Sequence, residues 1–149
     1  MRAGSVAEIW PGPHHDVLVA FAFANFSLGQ ERGQLALRLQ TGPVNSKKAP
    51  IELQLCELRD TSPRHIVVTW REGTVLAWLD GVSVATSNIF KGDLTDWQPQ
   101  HFLFGDDFDG DRIWRGQISG FAIYRRALTL DEVSAHYHLS EPLLQLLNP

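Results

Sequence analysis

The sequence predicts an all-β protein, a two-sheet antiparallel jelly-roll sandwich with one short C-terminal helix. Three observations carry that expectation. Nine short runs rich in β-branched and aromatic residues alternate with loops punctuated by Gly, Pro, Asn and Asp. Two hairpins adjoin between Arg64 and Thr86, turning at Glu72-Gly73 and at Asp80-Gly81, and Asp-Gly tolerates the positive φ angles of a type I′ turn. A complete helix start signal stands at Thr129: its hydroxyl can cap the amide of Glu132, the Glu132 side chain can reach back, and Leu128 can pack on Val133.

In chain order, Val6 to Trp10 reads as the first strand. Val17 to Ala24 follows inside an apolar run of about ten residues, short of the ~20 that span a bilayer, so it reads as a buried strand. Gln34 to Gln40 and Ile51 to Leu55 alternate apolar and polar residues, as does Arg64 to Arg71 with its Ile, Val, Thr and Trp content. Thr74 to Asp80 and Val82 to Ser87 complete the paired hairpins, and Trp70 and Trp78 sit in opposing strands as expected core residues. His101 to Phe104 is a short strand. Gln117 to Arg125 alternates small or polar with bulky residues, and its glycines suggest a bend or a close backbone approach. Leu130 to about His138 is the helix, expected to cover a sheet edge or sandwich end, and residues 139–149 form a leucine-rich tail that packs back or meets a partner.

Composition supports a single domain over residues 1–149, large enough to bury roughly 68–70% of its unfolded surface. A net charge of −4 argues against nucleic acid, which needs a basic footprint, and gives no pull toward anionic lipid. Cys56 is the only cysteine, so neither an internal disulfide nor a cysteine-based zinc site can form; it alternates with leucines and reads as a buried structural thiol. No targeting segment or membrane span is evident.

Several stretches together resemble a known family. Asp80-Gly81 after an apolar strand, Gly110-Asp111-Arg112-Ile113-Trp114-Arg115-Gly116-Gln117-Ile118, and Ala122-Ile123-Tyr124-Arg125-Arg126-Ala127-Leu128-Thr129-Leu130-Asp131-Glu132-Val133 look like the closing half of a LamG-like domain of the concanavalin A-like lectin/glucanase superfamily. Asn25 to Gln30, followed by Leu37 to Thr41, is similar to a bacterial branch that includes domains fused to VanZ-like membrane proteins. The resemblance runs from about Val6 to Tyr137. It implies carbohydrate binding in an extracytoplasmic or cell-envelope setting, with a glycan or another protein domain as partner; the expectation of a non-catalytic module comes from the residues themselves. One departure concerns the start: the family usually has a strand or two ahead of the segment matched by Val6 to Trp10, so the domain is either naturally short or part of a longer polypeptide.

Asp106-Asp107-Phe108-Asp109-Gly110-Asp111 places four carboxylates in six residues, a donor density that suits Ca²⁺. The spacing is not that of an EF-hand. The competing reading is a solvated turn in which Asp111 pairs with Arg112. Trp97, Phe108 and Trp114 are the candidate ligand contacts, because sugars stack on flat aromatic faces. Trp97 could equally be a lid over the core, and Trp114 a structural residue. His14 and His15, or His136 and His138, make poor zinc pairs; the latter two do not share a helix face. A glucanase needs acids alternating along one strand, and no expected strand carries them, which leaves a hydrolase as a remote alternative. A protein-interaction domain with no sugar ligand is the nearer one.

Overall fold

A computed structural model describes residues 4–9, 16–21, 26–41, 51–92, 102–106 and 113–147, with 4–9, 16–21 and 102 described by backbone path alone. Among the described residues ten strands and one helix follow one another: β1 (Gly4–Ile9), β2 (Asp16–Phe21), β3 (Phe26–Glu31), β4 (Gln34–Leu39), β5 (Ile51–Glu57), β6 (Arg64–Arg71), β7 (Thr74–Leu79), β8 (Val82–Ser87), β9 (Phe102–Phe104), β10 (Ile118–Tyr124) and α1 (Leu130–Leu146). They form two five-stranded sheets. The first has the order β10-β1-β6-β7-β8 and the second β5-β4-β3-β2-β9, with every pairing antiparallel.

Three of the hairpins turn in the same way. Arg32-Gly33, Glu72-Gly73 and Asp80-Gly81 each hold both residues at positive φ, between 49° and 84°, the conformation of a type I′ turn whose twist matches the flanking strands. The first of these corrects the sequence reading. Phe26–Glu31 is a strand, β3, pairing with β4 from Phe26↔Leu39 to Glu31↔Gln34. Gly29 and the polar flank hid it, whereas Phe26, Leu28 and Gln30 alternate toward the same face as Leu35, Leu37 and Leu39.

The main core lies between the sheets: Leu28, Leu35, Leu37, Leu39 and Leu55 from one side, Ile66, Val68, Trp70, Val75 and Ala77 from the other, joined by Leu58, Phe90 and Trp114. Residues one position along β6 and β7 point the opposite way, so Val67 and Trp78 form a second apolar layer with Leu128 and Val133 beneath α1. Trp70 and Trp78 are both buried but on opposite faces of one sheet; their cross-strand partners are Val75 and Val67.

The capping box at Thr129 and Glu132 forms as expected, and Leu128 and Val133 are both buried. The helix itself is longer than its periodicity indicated and covers the outer face of the first sheet. It runs through Pro142 to Leu146, so most of the expected tail is helical. Proline removes an amide donor from a helix interior. Here the docked first half, anchored by Val133, Tyr137 and the buried Ser140, carries the second half past that defect.

Candidate functional site

The acidic loop leaves the end of β9, the short edge strand held on β2 by the pairs Val19↔Phe104 and Phe21↔Phe102. Gly105, at φ 76°, turns the chain out of the strand. Trp114 N–H donates to the Gly105 carbonyl at 2.7 Å, which closes the base of the loop. Asp106, at that base, is half-buried. Asp107, Phe108, Asp109 and Asp111, like Trp97, lie outside the described residues.

Trp114 is 6% exposed and belongs to the main core, so its ring offers no open face for stacking. Among the described residues the exposed aromatic at this rim is one that sequence reasoning missed. Phe104 is 49% exposed although its position along β9 points it between the sheets; among the described residues β9 and β10 are edge strands of the two sheets. Its ring meets Phe121 of β10 edge-on, with centroids 4.8 Å apart and planes at 82°. Ile113, at 57% exposure, adds apolar surface where the chain re-enters. The available signal was a phenylalanine at each end of a three-residue strand, one glycine ahead of the carboxylate run.

Other polar groups are engaged in structure. Asp80 accepts from His65 N–H at 2.9 Å and from Arg64 Nη1 at 2.8 Å, while Arg64 Nη2 donates to Asp60 at 2.8 Å. The Asp80 hydrogen bond holds the Arg64 guanidinium above its usual range, and the Ser62 amide followed by Arg64 holds the Asp60 carboxyl below its own. On the outer face of the second sheet Arg38 donates to Glu52 at 2.6 Å and Glu31 at 3.4 Å. Glu132 is held at about 2 by Arg126 and by the Thr129 amide. A general acid requires the opposite shift from those of Asp60 and Glu132. Cys56 is half-buried rather than buried as expected; partial burial raises its thiol, which packs against the core. His136 pairs with the Tyr124 hydroxyl at 3.3 Å and His138 with Glu141 at 2.9 Å. Among the described residues no three His, Cys, Asp or Glu side chains converge as a metal set.

The fold is shared with solved binding domains. The binding domain of Paraclostridial Mosquitocidal Protein 1 superposes with a TM-score of 0.64 at 16% identity, over 92% of this chain and 37% of that one. A heptameric SAP-like pentraxin from Limulus polyphemus gives 0.62 at 20% identity, over 89% and 68%. The binding domain of botulinum neurotoxin DC, solved in complex with rat synaptotagmin II, gives 0.66 at 12% identity, over 93% and 36%. This chain thus spans little more than a third of the toxin chains it resembles. No curated protein matches the sequence. The Laminin_G_3 family, described as the Concanavalin A-like lectin/glucanases superfamily, matches residues 17–134. With that match across most of its length and a ten-strand antiparallel sandwich to accompany it, the chain belongs to the concanavalin A-like lectin/glucanases superfamily.

Proposed function

We propose that this chain is a non-catalytic recognition module that binds a carbohydrate at the rim where the acidic loop leaves β9. The observation that carries the reading is Phe104, an exposed phenyl ring two residues ahead, in the sequence, of a run of four carboxylates. The apolar face of a sugar ring stacks on such an aromatic, while charged oxygens accept from its hydroxyls. Asp106, Asp107, Asp109 and Asp111 are the candidate Ca²⁺ ligands, since hard oxygen donors at this density fit that ion, and Trp97 and Phe108 are further candidate ligand contacts. Trp114 is assigned instead to holding the base of the loop. Similar folds serve recognition elsewhere: one toxin neighbour's cell entry is described as dependent on two ganglioside molecules. A cell-envelope or secreted bacterial protein, of the kind that joins such a domain to a VanZ-like membrane protein, is the setting this reading fits.

Thermal unfolding with Ca²⁺ or with chelator, repeated for Asp109→Ala, tests the metal. A site filled to 100 times its Kd stabilises the native state by about 2.7 kcal/mol, several degrees for a domain of this size. A calcium-dependent rise that Asp109→Ala loses supports the site and directs glycan screening to calcium buffers; no rise removes the metal. Loss of glycan binding in Phe104→Ala, with Tm unchanged, would then place the sugar at this rim.

A second reading is a protein-interaction domain. It is favoured by the outward stripe of α1, where Leu139 and Leu146 are 81% and 83% exposed, with Leu143 between them.

A further inference from the structure

Of the 17 residues of α1 only Val133 and Ser140 are fully buried, and Leu139 and Leu146 stand in solvent, so the helix is lightly held. The apolar layer beneath it, Val67, Trp78, Leu128 and Val133, forms a cluster apart from the core between the sheets. Departure of α1 would open that layer and leave the sandwich packed. Into this interface β6 projects His65, whose ring is 1% exposed and lies against Tyr137 of α1, with centroids 5.9 Å apart and planes at 44°. Its Nδ1 has no hydrogen-bond partner among the described residues. A protonated imidazole carries N–H on both nitrogens, so the cation would bury an unpaired donor here. The main chain cannot carry the ring to water, because Asp80 holds the His65 carbonyl at 2.8 Å and its amide at 2.9 Å. Solvating the cation requires its cover to leave.

We propose that His65 is a proton-operated latch: when its ring takes up a proton, α1 comes off the first sheet while both sheets stay paired. The groups around the ring set the balance. Asp80, from the β7/β8 turn, favours the cation, and Glu8 is the cross-strand residue on β1. Arg64, its neighbour in β6, is tied to Asp60 and Asp80. From α1 His136 opposes the cation, itself paired with the Tyr124 hydroxyl at 3.3 Å. Burial outweighs Asp80, and the docked imidazole is pulled from 6.5 to about 4. A released, hydrated ring returns to its ordinary value and takes the proton first as pH falls, so docking is complete above 6.5 and is lost toward 4. Glu132 is held at about 2, so the capping box keeps its charge through this range. His138 pairs with Glu141 at 2.9 Å on the exposed side, a contact that protonation keeps.

Hydrogen exchange of the full chain, followed from pH 7 to pH 4 and corrected for the intrinsic pH dependence of amide exchange, tests this. Between pH 7 and pH 5 the protection of the α1 amides should fall about twentyfold, the shift that values of 6.5 released and about 4 docked impose through one group. β3 and β4 should remain protected at pH values where α1 has lost its protection. In His65→Leu the α1 amides should stay protected at both pH 7 and pH 5. Should that variant not fold, His65→Phe keeps a ring against Tyr137 and has no proton to take up. An unchanged α1 protection overturns the inference. So does its loss together with that of β3 and β4, which is global unfolding, and so does an equal fall in a folded variant lacking the imidazole.

Discussion

Asp80 fixes its turn through both ends of the residue: its amide donates to the His65 carbonyl at 2.8 Å while its carboxylate receives the His65 amide and Arg64. That arrangement draws His65 under α1, where the side chain is 1% exposed and Nδ1 finds no partner among the described residues. Burial pulls the imidazole from its ordinary 6.5 to about 4; Asp80 opposes this shift, while His136 adds to it. The unfolded chain therefore takes up the proton first as pH falls. The stability that depends on neutral His65 is complete above pH 6.5 and is lost progressively between 6.5 and about 4, on the order of 1–3 kcal/mol. Urea unfolding at pH 7 and pH 5 should show this decline, and His65→Leu should flatten it; an equal decline in the variant would assign the effect to other groups. At this scale the sequence was informative where partners are close along the chain. The Thr129–Glu132 box and the Asp80-Gly81 turn could be read directly, whereas the burial of Trp114 and the exposure of Phe104 depend on partners distant in sequence.

Elements with local start and stop signals were legible, and those defined by distant partners less so. β6, β7 and β8 follow from alternation and two X-Gly turns, but β3 was missed because its pattern is broken by Gly29 and becomes clear only beside β4. The helix start was readable because its capping groups lie three residues apart; its end was not, because Pro142 signals termination and docking of the first half outweighs that signal. Thr129 donates from its own amide to Glu132 and accepts the Glu132 amide, and Arg126 grips the same Glu132 carboxylate through both of its terminal nitrogens. Thr129→Ala should therefore cost about 1 kcal/mol in equilibrium unfolding. Because α1 stacks Tyr137 on Gly81 and Val133 on the Val67–Trp78 layer, the same variant should also raise amide exchange along the first turn. A variant as stable and as protected as the parent would show that docking alone holds the helix start.

At the scale of the molecule, the order of strands in each sheet could not be read from local pattern, since periodicity names strands but not neighbours. β1 is the clearest case: it lies inside the first sheet, flanked by β6 and β10, both remote in sequence. β2 likewise pairs with β9. Long loops must close before these ladders gain anything, so refolding should take milliseconds to seconds, as in other all-β sandwiches. Stopped-flow fluorescence from the buried Trp70, Trp78 and Trp114 can follow it, and full recovery within microseconds would contradict the account. The β1/β10 ladder also sets how the fold would answer to mechanical load. Gly4 is the cross-strand neighbour of Tyr124, so the start of β1 and the end of β10 lie at the same end of one antiparallel ladder. Tension applied through the two chain ends would lift α1 and then separate Gly4 from Tyr124, opening the rungs one after another as a zipper does. Strands loaded from opposite ends would instead resist in shear with all rungs together, so this domain is built to yield at low force when pulled from its ends.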